Sequence, residues 1–269
     1  MVSDYICSEI DFPFCRFVSK EVCKGMCRTE MINKTKLNSP ALLFLIAIIL
    51  GLTVRMMRHV QSLCSSIGRR EMTLLFTSYS FANIIELVLV GLRHTLDRKL
   101  FMILTTLQLV FTNVAFFSLL VGAITMEMYA GKHGYESQTL LYIWISSYGF
   151  LSTLVIFVSL LLKTAVPILI MSFGLNLLFA YSYFILQIRK LNFNNAEIWA
   201  YGTLFIALAC FMLSCIPIFL GSGLIAILTD KYLDNLFFHH LFLFCSVVMV
   251  HKYWLSVCDY EVESYLIEL

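Results

Sequence analysis

Tyr79, Asn83 and Glu86 stand four and three residues apart in an otherwise apolar run, so on a helix they share one face. Glu86 is the one carboxylate well inside such a run. A charge at that depth costs about 3 kcal/mol on insertion scales, so this face is expected to point into a helix bundle and to be partnered. Depth names the partners. Glu86 lies six residues before Leu92, near one end of its run, and Gln108 and the pair His239 and His240 sit at similar depth on two other runs. A cluster of Tyr79, Asn83, Glu86, Gln108 and His239 can tie helices together by hydrogen bonds, or it can relay a proton or a polar solute. Metal chemistry is poorly served: adjacent histidines diverge by about 100° around a helix, and no run carries an interior Asp.

The second group able to do chemistry is sulfur. Four of the nine cysteines, Cys7, Cys15, Cys23 and Cys27, fall in a polar arm, residues 1–36. Paired thiols persist outside the cytosol, so the arm is expected to be an extracytosolic, disulfide-stapled cap with three possible connectivities. Free thiols in a cytosolic arm and a zinc site remain the other readings. Asn33, Lys34 and Thr35 form a glycosylation sequon.

The elements that must position these groups follow from hydropathy. Of 269 residues, 60% are hydrophobic and 13% charged, the mean hydropathy is +0.85, and the net charge is only +2. A soluble domain does not need that much apolar surface, and no Lys/Arg run suggests nucleic acid. Charge-poor runs occupy 37–54, 72–92, 100–126, 137–162, 164–188, 198–229 and 235–251, with Glu86 as the one interruption. Each approaches or exceeds the roughly 20 residues a helix needs to cross a bilayer. The expected fold is therefore all-α: a polytopic membrane protein with seven transmembrane helices in one bundle, over 37–257. A short acidic tail, 258–269, follows. No apolar stretch precedes Pro40, so the first span is expected to direct insertion itself.

Within this frame Pro167 begins the fifth span, and Pro217 with Gly221, Ser222 and Gly223 is expected to kink or end the sixth. Asn176 and Gln187 read as interhelical hydrogen-bonding groups, and Ser146, Ser147, Gly149 and Ser152 as a small-residue packing face. Between Asp234 and Lys252 lie 17 residues without a formal charge, flanked by Tyr232, Tyr253 and Trp254 as an interfacial belt. Residues 55–71 read as the one sizeable basic loop. Lys and Arg orient the chain poorly: with the arm outside, eight face the cytosol against five, and the arm's own six reverse the balance.

Three stretches carry a resemblance. They are Ile6-Cys7 with Pro13-Phe14-Cys15, then Ile67-Gly68-Arg69-x-Glu71, then Tyr232-Leu233-Asp234 with Phe237, Phe238, Met249, Val250, Lys252 and Trp254. Together they resemble the fungal chitin synthase export chaperone family, with Asn235 where that family is expected to have Gly. The resemblance implies a multi-pass protein of the endoplasmic reticulum membrane. Such a protein binds a chitin synthase, permits its exit to the cell surface for cell wall biogenesis, and is neither an enzyme nor cofactor-dependent. It makes Gly68, Arg69, Glu71, Tyr232, Leu233, Asp234, Phe237, Phe238, Lys252 and Trp254 candidate client contacts or family positions. Asp259-x-Glu261 fits a loose diacidic signal for a vesicle coat, or is simply a solvated tail. A seven-helix receptor or a small-solute transporter is the alternative, although the short loops and the lack of a two-half repeat speak against both.

Overall fold

The computed structural model describes residues 7, 12–18, 29–32, 35–62, 68–93, 95–128, 135–193, 198–219 and 233–267. Among these, seven helices are long and apolar enough to cross a membrane. Helix is the form such runs must take, because in lipid every backbone N–H and C=O needs a partner within the segment. The first span is Pro40–Ser62, the second Arg69–Gly91, the third Arg98–Met128 and the fourth Tyr135–Leu161. The fifth runs over Val166–Phe193, the sixth is Ile198–Phe219, and the seventh is Asn235–Ile267.

Local sequence fixes several ends. Pro40 takes the first helical position, where its missing N–H costs nothing, and the Ser39 carbonyl accepts from the amides of Leu42 and Leu43. Gly68 precedes the second span at φ 77°, a left-handed conformation that favours glycine. The fifth span is not uniform: Val166–Leu169 is α-helical, Ile170–Gly174 is a π turn, and Leu175–Phe193 returns to α.

Two boundaries differ from the sequence expectation. The first helix continues to Ser62, so Arg55 and Arg58 project from a helix and not from a loop. The seventh extends through the expected acidic tail to Ile267, carrying Asp259 and Glu261 on its last turns. As a result Tyr253 and Trp254 stand more than three turns from its end, at about 3.6 residues per turn. They are 2% and 5% exposed, so they are core residues and no interfacial belt. Tyr232, the third belt residue, lies outside the described residues, as do Cys23, Cys27, Asn33 and the glycines at 221 and 223. Pro217 sits inside the last turn of the sixth helix.

The arm contributes a disulfide between Cys7 and Cys15 and a helical turn, Cys15–Val18. It also contributes an antiparallel hairpin, β1 (Thr29–Ile32) with β2 (Thr35–Asn38), the one strand pair among the described residues and one that the all-α expectation did not include. Phe12, Phe14 and Phe17 are buried on the bundle. Arg16 donates to the Arg93 carbonyl at 3.0 Å and lies 4.8 Å over the Phe101 ring. The arm thereby closes the end of the bundle where the first, third, fifth and seventh spans begin.

Two large apolar cores result, beside a small third cluster of Val121, Leu141 and Ile145. One, at the arm end, joins Phe14, Leu42, Ile46, Phe101, Ile156 and Ile168. The other joins Phe76, Tyr183, Leu204, Phe244, Tyr253 and Trp254. The second and third spans pack extensively together, as do the sixth and seventh. On the fourth span, Ser152 is buried whereas Ser146 and Ser147 are exposed, so the expected small-residue face is split.

Candidate functional site

The second span presents Tyr79, Ala82, Asn83 and Glu86 to a cavity of about 500 Å³ inside the bundle. Their spacing of three and four residues places them on one buried stripe. Gln108 enters from the third span, Asn176 from the fifth, Ser214 from the sixth, and His239 and His240 from the seventh. Phe12 and Phe14 of the arm form the wall nearest that end. The cavity is the place where five spans and the arm meet.

Glu86 is 3% exposed and holds two neighbours on one oxygen. His240 Nε2 lies 2.8 Å from its Oε2, and Gln108 Nε2 donates to the same atom at 3.4 Å. Glu86's imidazole partner is thus His240, with His239 turned elsewhere. His239 and His240 diverge as neighbouring helical positions must: His239 Nδ1 donates to the Ser214 carbonyl at 2.8 Å, tying the seventh span to the sixth. Both histidines line the cavity.

The proton count of the Glu86–His240 pair follows from geometry. His240 Nδ1 is 2.8 Å from the Leu236 carbonyl, and a carbonyl only accepts, so Nδ1 carries a proton. The Nε2···Oε2 bond then holds one further proton, either on the imidazole or on the carboxyl. In both cases the pair is neutral overall, which is the state that burial at membrane depth favours.

A second polar contact lies beside it. Asn176 Nδ2 donates to Asn113 Oδ1 at 3.0 Å and to the Ser172 carbonyl at 2.7 Å, the latter within the π turn. Asn83 spends its amide on its own helix, donating to the Tyr79 carbonyl at 2.7 Å. Four side-chain atoms in the cavity wall are then left over. Tyr79 OH, Gln108 Oε1, Ser172 Oγ and Asn176 Oδ1 are buried and have no hydrogen-bond partner among the described residues. No three His, Cys, Asp or Glu side chains among the described residues converge as metal ligands.

Depth brings Gln108 and the pair His239 and His240 level with Glu86 and the expected cluster takes His239, whereas the imidazole on Glu86 is that of His240; Asn113, Ser172 and the π turn are not among the expected site features. Asn113 and Ser172 were visible as polar residues inside apolar runs, and their depth alone could have marked them. A π turn has no sequence signature of comparable strength, although π turns recur at functional sites.

A family model described as the chitin synthase export chaperone matches residues 3–266, nearly the whole chain. The chain belongs to the chitin synthase export chaperone family. It is similar to proteins of that name from Phaeosphaeria nodorum, at 25% identity over 96% of this chain and 82% of the relative. The protein from Coccidioides immitis is 23% identical over 97% and 83%. That from Neurospora crassa is 26% identical over 80% and 62%.

The positions that carry the export-chaperone resemblance have specific structural places. Gly68 supplies the positive φ before the second span. Glu71 packs against Gly122 of the third span so closely that a Cβ on Gly122 would lie 2.9 Å from Glu71 Cβ. Arg69 accepts Thr73's hydroxyl on its carbonyl at 2.7 Å. Asp234 precedes the first residue of the seventh helix; its carbonyl accepts from Phe237 N at 3.0 Å, and its carboxylate accepts the hydroxyl of Ser39. Leu233, Phe237 and Phe238 are half-buried, Trp254 is buried, and Lys252 is exposed. Asn235 donates to the Pro217 carbonyl at 3.1 Å, a bond that glycine could not make. Most of these positions are therefore joints of the bundle itself.

Proposed function

We propose that this protein binds a chitin synthase in the endoplasmic reticulum membrane and permits its exit to the cell surface, performing no catalysis itself. The observation that carries the reading is the family match across nearly the full chain, together with seven helices among the described residues that are long and apolar enough to cross a membrane. A membrane chaperone needs a rigid, inserted surface on which an unassembled client's spans can lie, and packed small and polar contacts between helices provide rigidity. The polar groups at membrane depth supply it here: Glu86 with His240, Asn113 with Asn176, Gln187 with Tyr253, and Ser246 with the Ala207 carbonyl each join two spans.

The arm belongs on the lumenal side in this reading, where a disulfide such as Cys7–Cys15 persists. The opposite end, with Lys252 and the helical extension bearing Asp259 and Glu261, then faces the cytosol and its vesicle coat. Of the described family positions Lys252 is the exposed one, so it is the client or coat contact to test first. Purification from mild detergent should recover a large processive glycosyltransferase with this protein, and removal of the gene should leave that synthase in the endoplasmic reticulum. Absence of any synthase from the purified complex, with normal chitin after gene removal, rejects the reading.

A further inference from the structure

We infer that the cavity inside the bundle is a binding site for a neutral, single-chain lipid bearing hydroxyl groups, which enters from the bilayer between the fifth and sixth spans. The inference is independent of the synthase reading and would stand or fall without it.

The polar end of the site is incomplete as the protein stands alone. Tyr79 OH, Gln108 Oε1, Ser172 Oγ and Asn176 Oδ1 lack partners although each is buried. Tyr79, Gln108 and Asn176 are no more than 9% exposed. Each such group, cut off from water, forfeits a hydrogen bond, and natural proteins seldom leave several of them together without a ligand or solvent to satisfy them. All four are uncharged. The one acid in the wall, Glu86, already shares its proton with His240 in a pair that is neutral overall. Nothing remains to offset a charge on a ligand, so the group that fits is neutral: a pair of hydroxyls, each donating to one of the two amide oxygens and accepting from one of the two protein hydroxyls.

The rest of the wall is apolar. Leu109, Phe116, Phe173, Phe211 and Leu243 surround the polar end, and the volume of about 500 Å³ falls within the roughly 300–1,000 Å³ of small-molecule sites. Water alone does not suit such walls, because ordered water needs two or more polar partners. An aliphatic chain suits them. The volume admits one chain with a small head and excludes a two-chained phospholipid.

The route of entry is also visible. Leu177 of the fifth span and Met212 and Ile216 of the sixth line the cavity, yet they are 43%, 51% and 42% exposed on the outer surface of the bundle. The wall there is also the outer wall, and it faces hydrocarbon. Gly174, the last residue of the π turn, lines the same gap, and a Cβ at this position would meet nothing within 4 Å. The π turn widens the fifth helix where the gap opens.

The test uses the full chain in nanodiscs and monolauroylglycerol carrying a diazirine in its acyl chain. Cross-linked peptides should map to the cavity faces of the third, fifth and sixth spans, and unlabelled monolauroylglycerol should compete. Laurate, with the same chain and an anionic head, should compete at least about tenfold less well, since a tenfold preference needs only one head-group interaction of about 1.4 kcal/mol. Gly174→Trp adds bulk in the gap from a position where a Cβ meets nothing within 4 Å, and it should reduce labelling by about tenfold while the unfolding temperature stays unchanged. Gln108→Leu should weaken competition by monolauroylglycerol more than competition by its dimethyl ether. Labelling confined to outward-facing residues such as those of the fourth span overturns the inference. So does equal competition by laurate, or undiminished labelling in folded Gly174→Trp. Competition on the unaltered protein keeps the result decisive even if a variant fails to fold.

Discussion

Ser39 donates its hydroxyl to the carboxylate of Asp234, joining the first turn of the first span to the first turn of the seventh. Each residue occupies the cap position of its own helix: the Ser39 carbonyl accepts from Leu42 and Leu43, and the Asp234 carbonyl accepts from Phe237. Ser39 does so at φ 48°, in the left-handed region that non-glycine residues rarely occupy. The two ends are thus set by one shared contact as well as by their own backbones.

This contact predicts coupling. Asp234→Ala should cost about 1 kcal/mol, the usual loss for a helix cap, and Ser39→Ala a similar amount. The double variant should lose less than the sum, because the shared bond can be lost only once. Thermal unfolding in detergent measures all three, and strictly additive losses would show that the bond carries no stability. Asp234→Ala also separates structure from client contact. A stable variant that leaves the synthase in the endoplasmic reticulum assigns Asp234 to the client surface, and a degraded variant assigns it to the bundle alone.

At the centre of the bundle the order of severity is set by what is left unpaired. Glu86→Leu removes the acceptor of both His240 and Gln108, and breaking a buried pair on one side typically costs about 3–5 kcal/mol. Glu86→Gln keeps an oxygen of similar reach and should cost about 1–2 kcal/mol, the scale of one altered hydrogen bond. His240→Ala should be more damaging than His239→Ala, because among the described residues the hydrogen bond of His239 goes to a backbone carbonyl, that of Ser214, and leaves no buried charge unpaired when lost. Steady-state abundance and melting temperature of the four variants give the ranking. Equal damage from Glu86→Gln and Glu86→Leu in folded protein would point to a role for the proton itself.

Much of this architecture was legible from charge-free runs, since lipid permits few alternatives to helix. The buried stripe of Tyr79, Asn83 and Glu86 was equally legible, because a carboxylate at depth must turn inward. What the runs did not carry was angular position around the other helices. Depth put His239 and His240 level with Glu86, but only packing decides which of two neighbours, about 100° apart, faces it. The seventh helix shows a second reason. A hydropathy window ends where charges begin, at Lys252, whereas backbone hydrogen bonding does not, so Tyr253 and Trp254 looked interfacial and proved to be core. The family positions were found by resemblance, but their work at Gly122 and Ser39 lies on segments that carried no motif.

Gly122 offers a steric test of one such position. A methyl group there would lie 2.9 Å from Glu71 Cβ and 3.0 Å from Cγ, closer than real contacts allow, so the second and third spans would have to part. Gly122→Ala should destabilise by about 1–3 kcal/mol, the usual cost of overpacking. Gly149→Ala, whose new methyl would meet Val114 at an ordinary 3.5 Å, should instead gain up to about 1 kcal/mol from helix propensity. Melting temperatures that move in opposite directions support the close approach. A neutral Gly122→Ala would show that Glu71 yields freely.

The arm supplies the last prediction, because its disulfide and its docking are separable. Cys7–Cys15 closes a short loop of the chain, and Phe12 within it packs on Phe173 at a ring distance of 5.5 Å and on His239 at 6.0 Å, with Phe14 stacked on Phe12 at 5.5 Å. Replacing both cysteines with Ser should cost about 2 kcal/mol or somewhat more, since short loops give the smaller disulfide contributions. Phe12→Ala should cost about 3–5 kcal/mol if the ring is fully supported by the bundle, and it opens the cavity at that end. In sealed microsomes a membrane-impermeant thiol reagent should leave Cys7 and Cys15 unlabelled even after permeabilisation, and should label them only once they are reduced. Labelling without reduction denies the disulfide. Reduction followed by labelling in sealed vesicles, from the cytosolic side, denies the lumenal placement of the arm while leaving the disulfide in place. The two results are independent, so each half of the expectation is tested on its own.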